Sequence, residues 1–236
     1  MEQVRDFGFG EEQAMLKDSA RRFMADKVPL TLVRQSTKGT EDPYLGEERS
    51  GVYDKAAWQE MVELGWPALA VPEEAGGLGM SLVTAVAIAE EIGQAAMPTP
   101  LTSTLLATFV LRHAASLEHS QAAKTWLARI AEGSSAALAI QGAADPLALD
   151  STEVTAADGK LPGTAWFIQD LQKVDFLIVA AKEGDALQLY GVDVKSDGVE
   201  LAFDRIVDLT RDQGRATFNQ APAELLAKDG RKALHD

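Results

Sequence analysis

Few residues in this chain are of the types that do chemistry. Two carboxylates, Glu90 and Glu91, stand side by side where an apolar run turns polar. Such a pair can divide proton transfer between its members, or it can close a helix in solvent, and we read it as a solvated helix end. His113, His119 and His235 are scattered, and their spacing fits no zinc site. Cysteine is absent, which excludes a disulfide scaffold, thiolate metal ligands and thiol catalysis. Arg205 and Arg211 lie in the stretch DRIVDLTR. Either could hold a phosphate through two parallel hydrogen bonds, or pair with Asp204 and Asp208 beside it. Gln141 and Gln169 carry amides able to donate to a carbonyl. Trp166 and Phe167 are adjacent, so alternation along a strand would send their rings to opposite faces.

The elements that must position these groups change character along the chain. Residues Glu11–Lys27 read as an amphipathic helix, with Leu16, Ala20, Phe23 and Met24 on one stripe, and Pro29 ends it. Gln35–Val52 is polar and charged and reads as a surface loop, either a flap or solvated coil. Asp54 can cap a helix carrying Trp58, Met61 and Val62 that stops at Gly65. Pro67, Pro72, Gly76, Gly77 and Gly79 then force a turn. Ser81 can cap a second helix, Leu82–Ile92, apolar nearly all round and so expected to be buried, with Gly93 as its end. Further helices are expected over Leu101–Arg112 and Leu117–Ala131. Near Gly133 the hydrophobic period shifts from 3.6 to 2. Strands are expected over Ala136–Gln141, then as a hairpin Glu153–Ala157 and Gly163–Gln169 about Asp158–Gly159, then at Phe176–Ala181, Leu187–Val194, Val199–Phe203 and Arg215–Asn219. Helices followed by strands predict an α+β architecture: a helical domain over 1–132, an antiparallel β-barrel or sandwich domain over 133–222, and further helix over 223–236.

The chain has 236 residues, 46% hydrophobic and 25% charged, an ordinary globular composition. Its net charge of −14 and pI of about 4.6 disfavour nucleic acid and anionic membranes as partners. A polyanionic ligand would also be repelled unless basic groups gather locally. No window is apolar and long enough to span a bilayer, and no signal peptide opens the chain. The expected location is the cytoplasm.

The stretch Leu64–Gly79, LGWPALAVPEEAGGLG, followed by a small-residue helix ending in EEIG, resembles the N-terminal domain of acyl-CoA dehydrogenases. The opening FGFGEEQAMLKDSARRF and the late stretch Arg215–Gly230 are similar to that family as well. The resemblance implies α,β-dehydrogenation of an acyl-CoA thioester, in which a carboxylate removes the α-proton and FAD accepts the β-hydride. It implies an acyl-CoA substrate, electron-transfer flavoprotein as redox partner, and a homo- or hetero-oligomer. Two β-domain segments would meet the flavin. Gln141 and Gly142 fall where the family has a threonine-bearing loop, with Asp145 near the thioester. Phe167, Ile168 and Gln169 fall on the family's aromatic, isoleucine and threonine. Leu101 and Thr102, on the third long helix, would line the acyl pocket. The family's catalytic glutamate lies in a C-terminal helical bundle of which Arg231–Asp236 would be the first turn or two, so no catalytic residue is assigned, and no metal is expected. Two main readings follow: part of a flavin-dependent acyl-CoA dehydrogenase, or a non-catalytic partner subunit of a heteromeric one; an acyl-CoA oxidase or nitroalkane oxidase is a third on the same fold, since fold does not fix chemistry.

Overall fold

The computed structural model describes residues 9–36, 53–118, 120–145, 148 and 151–235. Residues 37–52, most of the expected surface loop, and His119 lie outside them. Seven helices come from the two ends of the described chain: α1 Glu11–Lys27, α2 Leu30–Ser36, α3 Lys55–Glu63, α4 Leu82–Ala95, α5 Leu101–Glu118, α6 Gln121–Ala131 and α7 Gly230–His235. Between α6 and α7 run seven strands: β1 Ala136–Ala139, β2 Lys160–Gln169, β3 Phe176–Glu183, β4 Ala186–Asp193, β5 Val199–Phe203, β6 Gln213–Pro222 and β7 Glu224–Ala227.

Local chemistry accounts for most helix boundaries. The Asp54 carboxylate accepts from the Ala56 and Ala57 N–H groups at 2.8 and 3.3 Å, satisfying two donors that α3 leaves open. Gly65 follows α3 at φ 75°. The Pro72–Gly79 turn is held by Gly77 N–H to Pro72 O and Gly79 N–H to Val71 O. A Cβ on Gly77 would sit 2.1 Å from Val71 O, so only glycine lets these backbones approach so closely.

Several expected boundaries move. Ser81 occupies the N-cap of α4, but its hydroxyl meets Thr84 Oγ1 at 3.3 Å instead of a backbone N–H. Gly93 does not end α4; the helix continues to Ala95, and Ala96 takes the left-handed turn at φ 48°. Nothing crowds Gly93, and one glycine costs a helix only about 1 kcal/mol. Nor is α4 buried all round: Leu82 and Val86 are more than half exposed. α5 runs past Arg112 to Glu118, because the next N-cap is Ser120, whose hydroxyl accepts from Ala123 N–H at 3.2 Å. α2 carries helix through Gln35 and Ser36, where loop was expected.

The β region is two packed sheets and not a closed barrel. One has order β1-β3-β4-β7, the other β2-β6-β5. Every pairing is antiparallel except β1 with β3, which is parallel. β7 extends the first sheet past Pro222, where helix was expected, by pairing with β4. The Asp158–Gly159 turn forms as read, with both residues at positive φ (51° and 70°), the twist suited to a two-residue hairpin. Its first arm makes only isolated bridges, Thr155 to Lys182 and Ala157 to Lys160, rather than a strand.

β3 explains the layering. Phe176, Ile178 and Ala180 enter a core with α5, α6 and α7, while Leu177, Val179 and Ala181 enter the core between the sheets. A strand covered on both faces reads as a continuous apolar run, as FLIVAA does. A third core, around Met61, Trp66, Ile88 and Leu101, joins α1, α3, α4 and the start of α5.

Candidate functional site

Two chain segments meet at the sheet edge where β1 ends. Trp166 N–H donates to Gln141 O at 3.0 Å, so the Gln141–Ala143 exit loop and the end of β2 lie side by side. Between Ala165 and Ile168 the β2–β6 register slips, and Phe167 takes φ 55°. This bulge overturns the simple alternation expected of Trp166 and Phe167. The extra residue rotates the strand, and the two rings lie 6.4 Å apart with planes tilted 45°.

The edge is closely tied together. Gly142 is buried and donates to Ser151 Oγ at 3.0 Å; a Cβ there would lie 1.8 Å from Ser151 O. Ala143 N–H and the Trp166 indole N–H both donate to the Glu153 carboxylate, at 3.0 and 3.1 Å. The Arg215 guanidinium lies 5.3 Å over the Trp166 ring. Gln169 donates to Gln213 Oε1 at 2.7 Å and to Phe167 O at 3.3 Å, and Gln213 in turn donates to Asp204. Asp145 is exposed, with its carbonyl accepting from Ala148 N–H. Phe167 is half-buried, whereas the Ile168 side chain is 1% exposed in the core between the sheets, so Ile168 can present only its backbone at the edge. Leu101 is fully buried in the helical core and Thr102 half-buried.

Beneath this edge lies a buried charge cluster that sequence reading did not find. Asp170, at φ 56°, accepts from Ser103 Oγ of α5 at 2.6 Å and from Lys173 Nζ at 2.8 Å. Lys173 Nζ is also 2.6 Å from Asp212 Oδ2, and Arg211 is 3.7 Å from Asp170. Asp212 Oδ1 accepts from Gln172 N–H, and its carbonyl accepts from Asp170 N–H. The cluster therefore fixes the β2–β3 turn, the start of β6 and the first turn of α5 to one another. Beside it, Thr104 Oγ1 accepts from Ala136 N–H at 3.1 Å and donates to Pro100 O. The only sequence signal was the Asp170–Lys173 spacing of three. Arg211 thus joins an ion pair, and Arg205 is exposed.

The Glu90–Glu91 pair is not, as a whole, a solvated helix end. Glu91 is 2% exposed and receives Arg21 Nη2 and Nε at 2.8 and 3.2 Å; Glu90 receives Lys17 at 2.5 Å. Glu91 is structural through burial and pairing with α1, whereas Glu90 stays half exposed and pairs with Lys17 at the surface, as a solvated helix end would. Among the described residues no group of His, Asp and Glu could hold a metal.

A cleft of about 750 Å³ lies farther along α5. Its lining includes the apolar Leu82, Phe109, Val110, Leu127, Ala233 and Leu234 and the polar Glu74, Arg112, His113 and Lys124. Arg112 is steered by a 3.0 Å bond to Met80 O and stacks 5.5 Å from the Phe109 ring. Leu101 and Thr102 are not among the cleft's lining.

A helical layer on a double sheet, with its edge formed by β1 and a bulged β2, is the fold of an acyl-CoA dehydrogenase's first two domains. Residues 10–134 match the acyl-CoA dehydrogenase N-terminal domain, and the chain belongs to that family. It is 33% identical over 106 residues to acyl-CoA dehydrogenase IpdE2 of Mycobacterium tuberculosis, across 44% of this chain and 30% of that protein. It is 32% identical over 148 residues to acyl-CoA dehydrogenase FadE28 of the same organism, across 61% of this chain and 41% of that protein. The matched regions thus span less than half of either relative. Among solved structures, a variant of the Tcur3481-Tcur3483 steroid ACAD superposes with TM-score 0.77 at 23% identity, over 94% of this chain and 58% of that one. The ChsE4-ChsE5 complex of M. tuberculosis gives 0.74 at 19%, over 95% and 59%. An acyl-CoA dehydrogenase complexed with FAD from Bacillus anthracis gives 0.74 at 22%, over 95% and 40%. At these identities the structures speak for the shared fold.

The edge fits a flavin in part. The half-buried Phe167 ring and the exposed end of β2 suit contact with one face of a planar cofactor. The N–H donors do not fit. Those of Gly142, Ala143 and the Trp166 indole, and the Gln169 amide, are already committed within the chain. A flavin held by these four donors would have to displace Ser151, Glu153 or Gln213 first.

Proposed function

We propose that this chain is the non-catalytic partner subunit of a heteromeric acyl-CoA dehydrogenase. In this reading it lends walls to a site whose FAD and general base are held mainly by another chain. The observation that carries it is the internal commitment of the edge donors at Gly142, Ala143, Trp166 and Gln169. A site organised to hold a cofactor keeps donors aimed at where the cofactor's polar atoms will lie, so that none has to be withdrawn from another partner on binding. Leu82 and Val86, one turn apart on α4 and each more than half exposed, support an association role, since apolar side chains adjacent on a surface favour contact. The neighbouring ChsE4-ChsE5 structure is itself a complex of two proteins.

The second reading makes the chain part of a self-sufficient flavoprotein dehydrogenase that transfers hydride to FAD and passes electrons to electron-transfer flavoprotein. Family membership and the FAD-bound neighbour favour it. In that reading Gln141, Gly142, Phe167, Ile168 and Gln169 contact the cofactor and Asp145, Leu101 and Thr102 the substrate side. Both readings keep an acyl-CoA ester as the ligand. Flavin retention separates them. The purified chain is mixed with excess FAD, desalted and its visible absorbance read: we expect no retained flavin bands, because the edge donors are committed within the chain. Flavin retained by the chain alone would overturn the partner reading. Neither reading expects turnover of acyl-CoA esters by this chain alone, because a positioned carboxylate base typically contributes about 10²–10⁴-fold and no such base is assigned to it.

A further inference from the structure

The 750 Å³ cleft has a composition the partner reading does not require. In a chain of net charge −14, Arg112 and Lys124 line it against, among the described residues, the one carboxylate of Glu74, with His113 beside them. The rest of the lining is largely aliphatic and aromatic: Leu82, Phe109, Val110, Leu127, Ala233 and Leu234. Five elements supply this lining: the turn at Glu73–Ala75, the start of α4, the C-terminal half of α5, α6 and α7. The volume falls within the roughly 300–1,000 Å³ of small-molecule sites, which pair an apolar body with a few placed polar groups. Arg112 is held at this wall by Met80 O and Phe109, so its charge is oriented before any ligand arrives. Nine residues of α5 separate Arg112 from Ser103, which bonds Asp170 under the flavin-type edge; at 1.5 Å per residue the cleft lies about 14 Å along the helix from that junction.

We infer that this cleft is a binding site for an amphipathic carboxylate: an apolar body seated between α5 and α7, with its anionic end between Arg112 and Lys124. A neutral molecule of the same shape gains the apolar contacts alone. A carboxylate gains in addition charge-assisted hydrogen bonds from a guanidinium and an ammonium, in a surface that elsewhere repels anions.

The test is calorimetric titration of the purified chain at neutral pH with dodecanoate and, separately, with dodecanol, both below their aggregation limits. Saturable one-to-one binding of dodecanoate is expected, at least about ten-fold tighter than dodecanol, the scale of one charge-assisted bond. Lys124→Gln and Arg112→Gln should each weaken dodecanoate about ten-fold and leave dodecanol unchanged. Val110→Trp, which fills the cleft from a half-buried position, should abolish both. Circular dichroism melts of the three variants identify any that fail to fold; among the described residues the Lys124 side chain is half-buried at the cleft and forms none of the ion pairs that tie the fold, so K124Q is the variant on which the inference stands if R112Q unfolds. Equal affinity for acid and alcohol, no saturable dodecanoate binding, or full dodecanoate affinity in a folded K124Q would each overturn it. The titration contains neither FAD nor coenzyme A, so its outcome is independent of whether the chain is a partner subunit or a dehydrogenase.

Discussion

Two charged clusters in this molecule use nearly the same groups in different surroundings. Under the β1–β2 edge, Lys173 sits between Asp170 and Asp212, with all three nearly inaccessible. Between α1 and α4, Lys17 and Arg21 face Glu90 and Glu91, where only Glu91 is buried and Arg21 is more than half exposed. The first cluster ties three chain segments that are distant in sequence; the second staples one helix to another. A buried charge without its partner cannot be rescued by water, whereas an exposed one can. Removing one member should therefore be far more damaging in the first cluster than in the second.

The largest expected effect follows from Lys173→Met. It leaves Asp212 without its cation and Asp170 with only the partly exposed Arg211 at 3.7 Å, at a cost of about 3–5 kcal/mol. The thermal midpoint should fall by roughly 10 °C for a chain of this size. A fall of only a degree or two in a calorimetric melt would mean that water enters the cluster, and the contrast between the two would fail. Next comes Gly142→Ala, which drives a methyl into Ser151 O and should cost about 1–3 kcal/mol by urea unfolding. It also separates the exit loop from Ser151, and an unchanged midpoint would show that the loop does not pack as described.

Glu91→Gln is expected to be milder. The amide fills the same space and can still accept from Arg21, so the loss should be about 1–2 kcal/mol, read from the same urea curves. A loss as large as that of Lys173→Met would erase the difference between the clusters. The smallest effect concerns Glu90. The hydrogen bond from Lys17, and then its positive charge, hold the Glu90 carboxyl below the usual glutamate range. A carboxylate whose folded pKa is lowered contributes stability that is full above the unfolded glutamate's pKa and is lost as pH falls through the folded value. Melts of the parent and of Glu90→Gln should thus differ slightly at neutral pH and converge in acid. A gap that widens on acidification would contradict this ion pair.

These clusters also mark where sequence reading stops. The α1 stripe, the Asp54 cap, the Pro72–Gly79 turn and the Asp158–Gly159 hairpin were legible, because each depends on a residue and its near neighbours. A carboxylate two or three positions from a free N–H, or a glycine at positive φ, needs nothing distant to form. The β-rich character after Gly133 was legible for the same reason, since a period of two is written in the strand itself. Family membership was readable from Leu64–Gly79, where the spacing of prolines and glycines follows one particular backbone path.

What the tertiary structure alone decided involves partners far apart in the chain. Gly93 stays helical because nothing packs against it, while Gly77 is obligatory because Val71 O does; the letter is the same in both. Glu91 looked solvated until α1 brought Arg21 across 70 residues. The bulge at Phe167 depends on the register between β2 and β6, which a strand's own alternation does not encode. The commitment of Gly142, Ala143 and Gln169 to Ser151, Glu153 and Gln213 is the same kind of fact. A sequence lists donors and acceptors, but which donor meets which acceptor is settled by packing, because a hydrogen bond forms only within about 3 Å and those distances are set when the sheets and helices close on one another.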